Sequence, residues 1–119
     1  MSEFRQNYVN KEWVIIAPER SKRPDDMRDE REERPPLPPF KDDCPFCPGH
    51  EDRTPPASYS LSDGESWKLR VVPNKFAALS PQTTLERDCE GPFLRVGGFG
   101  VAEVLIESPR HDETLSTLS

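Results

Sequence analysis

Apolar residues are scarce in this sequence: they fill 33% of its 119 positions, well below the roughly 45–50% usual for a globular domain. Only a small core is affordable. No apolar run approaches the roughly 20 residues that cross a bilayer, and Met1-Ser2-Glu3-Phe4-Arg5 has no signal-peptide core. Neither membrane insertion nor export is expected, and a cytoplasmic location is. Basic residues are outnumbered 16 to 22, for a formal charge of −6 and a pI of about 4.9. With no continuous basic face, nucleic acid and anionic membrane are excluded as generic partners. Cysteine is limited to three and histidine to two. Three cysteines cannot all pair, so metal or redox use in a reducing compartment is favoured over a disulfide framework. There is no internal repeat.

Proline is abundant instead: 14 residues, about twice the usual share. A small core with long irregular connections follows, and such a domain gains from a staple. Structural zinc supplies on the order of 10–16 kcal/mol of apparent binding energy, against roughly 5–15 kcal/mol for a whole domain.

Three strands are predicted. Trp13-Val14-Ile15-Ile16-Ala17 is apolar on both alternating faces and reads as a buried strand ended by Pro18. Trp67 to Val72 alternates, with Trp67, Leu69 and Val71 on one face and Lys68 and Arg70 on the other, as in a half-buried strand closed by Pro73. Gly97-Gly98-Phe99-Gly100 leads into a third strand, Val101 to Ile106. Long loops without helical periodicity between them favour one antiparallel sheet. Residues 24–43, charged and then proline-rich, are expected to be a solvated, partly mobile loop. Thr114 to Ser119 reads as the approach to a helix. A bare three-stranded sheet leaves an apolar face wet, so the missing layer is expected from the remainder of a longer protein or a second subunit, a homodimer included.

Cys44-Pro45-Phe46-Cys47 is a CxxC pair in a proline-rich turn. Two thiolates at this spacing reach the same side of a loop and grip one ion. Thioredoxin-like redox chemistry needs the motif at a helix start, where the dipole lowers the thiol pKa; Pro45, Pro48 and Gly49 suit metal better, with inert thiols the bland alternative. His111, just beyond a strand end, is the favoured third ligand; His50, three residues past Cys47, is the alternative. Cys89 lies between acids and reads as an ordinary free thiol. Arg20, Lys22 and Arg23 cluster after the first strand, either as a solvated loop or as a phosphate site, since the guanidinium fork matches phosphate oxygens. Asn74 either makes a turn or bonds a ligand's sugar or base.

Four segments taken in order, Asn10 to Pro24, Cys44 to Glu51, Val72 to Leu79 and Glu107 to His111, closely resemble the N-terminal part of galactose-1-phosphate uridylyltransferases, members of the histidine-triad superfamily. The resemblance implies an α+β, antiparallel-sheet-dominated portion of a histidine-triad-like domain with long loops. It also implies a ping-pong reaction between a nucleotide sugar and a hexose 1-phosphate, through a uridylyl-histidine formed on a His-Pro-His motif. By the same resemblance Cys44, Cys47 and His111 match three zinc ligands. Arg20 and Arg23 match the arginines near the nucleotide phosphates, Asn74 the asparagine at the ribose, and the stretch around Arg53 the uridine site.

Two departures qualify the match. No His-x-His occurs in these 119 residues, so the chain by itself is expected to be inactive. Lys75 stands where some members carry an aspartate beside the asparagine, which bears on nucleotide choice. Adenylyl-transferring relatives of the ADP-glucose phosphorylase type share these segments. A stand-alone zinc-binding interaction module is the reading from another class.

Overall fold

A computed structural model describes residues 1–22 and 35–118. The chain divides into two units, Met1–Asp26 with Phe76–Ala102, and Met27–Lys75 with Glu103–Ser119. Each is built on its own antiparallel sheet, and the described residues contain two short 3-10 turns, Pro18–Lys22 and Glu51–Arg53, and no α-helix. The single three-stranded sheet expected from sequence is therefore two sheets, with four of the strands too short or too polar to stand out as patterns. The described residues likewise offer no helix long and apolar enough to cross a membrane.

The first unit holds β1 (Glu3–Gln6), β2 (Trp13–Ile16), β5 (Arg87–Glu90) and β6 (Phe93–Gly97), in the order β2-β1-β6-β5. Directly opposed residues share a face, so Phe4, Trp13, Ile15, Leu94 and Val96 fall on one side, and Glu3, Arg5, Asp88, Glu90 and Arg95 on the other. On the charged side Arg95 clasps Asp88 and Arg5 meets Glu3. Trp13, Val14 and Ile15 remain 43%, 50% and 45% exposed, which corrects the buried strand predicted there. The reason is position: β2 is an edge strand, bonded to β1 on one side only. Gly97 ends β6 where a Cβ would lie 1.9 Å from the Thr84 carbonyl oxygen, so only glycine fits that approach.

The second unit holds β3 (Tyr59–Ser62), β4 (Trp67–Pro73) and β7 (Glu103–Ile106), with β4 central. β7 is shorter than the predicted strand; Val101 is 68% exposed. The core is Trp67, Val72 and Ile106 with Val104 packed against it. The inward face also differs from the simple alternation, because Arg70 and Val72 point in with Trp67. A β-bulge explains it: Leu61 pairs with Leu69 but Ser62 pairs with Trp67, leaving Lys68 as an extra residue. That extra residue turns the indole onto the side of Arg70 and Val72. Arg70 is 5% exposed; its guanidinium lies 5.6 Å from the Trp67 ring centroid and donates to Thr54 Oγ1 at 3.2 Å.

Of the loop over residues 24–43, the part through residue 34 lies outside the described residues. Residues 35–43 are exposed and irregular, and Pro39 offers its carbonyl to the His111 N–H at 2.9 Å. At the other end the helix approach is a turn, in which the Thr114 carbonyl accepts from the N–H groups of Thr117 and Leu118.

The two apolar strands are expected to behave differently in this chain. Val72→Ala should cost about 2 kcal/mol, as for a buried truncation, whereas Val14→Ala should stay within about 0.5 kcal/mol. Urea denaturation of both variants compares them; equal losses would contradict the burial pattern.

Candidate metal centre

Residues 41–50 form a succession of turns. The Cys44 N–H donates to the Lys41 carbonyl at 3.2 Å, and the His50 N–H to the Cys47 carbonyl at 3.1 Å, so each cysteine has its own tight turn. Gly49 takes φ +89°, a left-handed conformation that strains any side chain. His111 arrives from the end of β7, where Ile106 is anchored opposite Arg70, and its N–H is held by Pro39.

The outcome is convergence. Cys47 Sγ lies 3.7 Å from His111 Nδ1 across 64 positions of sequence. The ligand atoms of Cys44, Cys47 and His111 all fall within 4.8 Å of one another, and no other such group forms among the described residues. A tetrahedral zinc with bonds of about 2.3 Å to sulfur and about 2.0–2.1 Å to nitrogen separates those atoms by about 3.6 Å. The residues fit the ion. His50 stays outside the group, with Nδ1 2.6 Å from the Cys44 carbonyl oxygen and its ring tilted against Phe40. A cavity of about 190 Å³ opens beside the cluster, lined by Cys44, Phe46, Cys47, Ile106 and His111 among others.

Burial pushes the Cys47 thiol above its ordinary range, and the neighbouring Cys44 and Asp42 add to the effect. Two thiolates side by side in a half-buried turn need a positive partner, and binding one releases their protons. The motif starts no α-helix, so nothing supplies the dipole that a redox CxxC uses. Cys89, exposed on β5, stands apart as a free thiol.

The other sequence-predicted residues are distributed as follows. Arg20 is exposed in the 3-10 turn of the first unit, its N–H bonded to the Ala17 carbonyl at 3.1 Å. Arg23 lies outside the described residues. Arg53 is exposed and donates from Nη1 to the Asp42 carbonyl at 2.7 Å, bracing the loop before Cys44. Asn74 is half-buried directly after β4, has interactions of its own, and is followed by an exposed Lys75. Sequence reasoning missed Glu51, whose Oε1 accepts from the Trp67 indole N–H at 2.9 Å and the Gly49 N–H at 3.1 Å. The available signal was that a buried tryptophan N–H needs an acceptor; nothing in the sequence said which.

Two small antiparallel sheets, one of them joined to a Cys-Cys-His cluster, define a β-rich domain with a candidate metal staple. The chain belongs to the family described as galactose-1-phosphate uridyl transferase, N-terminal domain, whose model matches residues 1–119. It is 37% identical to an ADP-glucose phosphorylase of Arabidopsis thaliana, over 98% of this chain and 33% of that protein. It is 29% identical to a galactose-1-phosphate uridylyltransferase of Hypocrea jecorina, over 100% of this chain and 32% of that one. A solved galt-like protein from Arabidopsis thaliana matches with a TM-score of 0.51 at 31% identity, covering 97% of this chain and 29% of its own. The chain thus spans about a third of the length of the curated relatives it matches.

The Glu51 carboxyl is held below its ordinary 4.5 by its own backbone N–H first, then by the Gly49 N–H, the Trp67 indole and the Arg70 charge. A carboxyl depressed on folding contributes stability that is present above the unfolded value and lost as pH falls through the folded one. Metal-free wild type should therefore lose stability more steeply than Glu51→Gln below pH 4.5. Urea midpoints that run parallel for the two proteins down to about pH 3 would contradict this.

Proposed function

We propose that this chain is the metal-stapled, nucleotide-contacting portion of a hexose-1-phosphate uridylyltransferase of galactose metabolism, with a histidine-triad-like domain as the complete unit. The observation that carries the reading is the meeting of Cys44, Cys47 and His111 in a chain that belongs to this family. Zinc held there acts as a structural tie rather than an activator of water. Its fourth ligand is expected from a histidine beyond these residues.

In that reading Arg20 and Arg23 steady the nucleotide phosphates through charge-assisted bonds, Asn74 meets the ribose with Lys75 beside it bearing on nucleotide choice, and Arg53 borders the uridine. The attack on the α-phosphorus belongs to a His-x-His motif that this sequence does not contain, so the isolated chain binds and positions without turning over. Its partners are a nucleotide sugar, a hexose 1-phosphate and the remainder of the enzyme. Identity of 37% to an ADP-glucose phosphorylase favours a second reading, adenylyl transfer through the same scaffold.

Incubation of the complete enzyme with labelled UDP-glucose should leave an acid-labile nucleotide on histidine; labelling from ADP-glucose alone would transfer the assignment to the second reading, and labelling from neither would end both. Arg20→Ala should weaken nucleotide binding by about 10-fold, the loss of one charge-assisted contact, with melting unchanged. Unaltered affinity would remove Arg20 from the phosphate site. Cys44→Ser should lower metal content and melting temperature together; full metal loss with an unchanged melt would show that the ion does not support the fold.

A further inference from the structure

Trp67 and Glu51 stand outside the Cys44, Cys47 and His111 group, yet they join the central strand of the second unit to the turn that carries Cys47. The path is short. Trp67 Nε1 donates to Glu51 Oε1 at 2.9 Å, and the same oxygen accepts the Gly49 N–H at 3.1 Å. Gly49 follows Cys47 by two positions, inside the turn that the His50 N–H closes onto the Cys47 carbonyl. One oxygen shared by two donors transmits any displacement of the indole directly to the turn.

Placement of the indole is itself engineered by the backbone. Without the extra residue at Lys68, the alternation of β4 would carry Trp67 to the side of Leu69 and Val71, away from Glu51. With it, Trp67 is 9% exposed, supported from beneath by the Arg70 guanidinium, whose charge also stabilises the Glu51 carboxylate. Arg70 in turn donates to Thr54, which follows the Glu51–Arg53 turn. Two connections from one strand therefore fix the segment after the CxxC.

We propose that Glu51 and Trp67 are positioning residues for the metal centre, a clamp that presets the Cys47 sulfur for the imidazole of His111. The proposal rests on the metal-centre reading above. Outer residues that orient ligands change metal affinity by about 10–100-fold when removed, although they touch no ion.

The test is Co²⁺ titration of the purified full chain, followed through the thiolate charge-transfer and d–d absorption bands, with Zn²⁺ competition. Glu51→Ala and Trp67→Phe should each weaken binding by about 10-fold and reduce the intensity of the d–d bands. Because both variants break one shared contact, the double variant should lose about 10-fold again in total rather than about 100-fold. Glu51→Gln keeps an acceptor oxygen and should stay within about 2-fold of wild type. Multiplying losses in the double variant, or single variants that bind like wild type, would overturn the clamp while leaving the metal centre in place. A wild-type protein with no cobalt–thiolate band would overturn the metal centre and the clamp together. Should Trp67→Phe fail to fold, the Glu51 pair decides: equal affinity for Ala, Gln and wild type overturns the proposal.

Discussion

Cys47 Sγ and His111 Nδ1 stand 3.7 Å apart although 64 positions separate them in sequence. Closing a flexible loop of that length costs on the order of 4 kcal/mol in chain entropy before any contact is rewarded. The hydrophobic core of this unit is three buried side chains, Trp67, Val72 and Ile106. Burial of that size, roughly 1.5–3 kcal/mol per side chain, does not by itself leave a wide margin over closure and the ordering of long proline-rich loops. The junction of the CxxC turn with His111 is therefore the constraint on which the unit depends, and an ion binding at that junction adds its free energy where the chain has least of its own.

Three connections divide the task, two of them made by β4. The hydrogen-bond ladder to β7 sets Ile106 opposite Arg70 and so fixes where the chain departs toward His111. The Glu51 carboxylate links Trp67 to the turn after Cys47. The His111 N–H on the Pro39 carbonyl ties the segment before Cys44 to the incoming histidine. Each is a polar contact of modest net worth, about 0.5–1.5 kcal/mol. Their value lies in geometry: together they restrict the sulfurs and the imidazole to one arrangement before a cation arrives.

The legible part of this fold was chemical rather than topological. CxxC spacing and the prolines around it singled out Cys44 and Cys47 as a metal-type pair, while the choice of His111, 64 positions from Cys47, drew on its place after a strand end and on the family resemblance. The strands were legible where side chains were apolar and runs long, at Trp13, Trp67 and Glu103, and the short β1, β3, β5 and β6 were not. Those strands are polar on one face, and a four-residue segment such as Arg87–Glu90 carries no periodic signal. Burial failed for a different reason at each site. At Trp13 the edge of a sheet is decided by pairing partners that periodicity cannot name. At Trp67 a single bulge reversed the face and brought Arg70 inside, where an aromatic ring, a hydroxyl and the nearby Glu51 carboxylate accommodate its charge.

Arg53 shows how the metal loop and the proposed nucleotide contacts share parts. In the proposed function Arg53 borders the nucleoside, yet its Nη1 is committed to the Asp42 carbonyl at 2.7 Å, two residues ahead of Cys44. A guanidinium has five N–H donors in a planar fork, so one bond to the backbone leaves geometry for others. A lysine at this position would have a single ammonium on a flexible stem and would not hold both demands in one plane. The same side chain thereby braces the CxxC turn on one side and, in the proposed function, meets the ligand on the other. Loosening the turn displaces Arg53 with it, so in the proposed function an ion held by the turn would bear on nucleotide binding without touching the reacting phosphate.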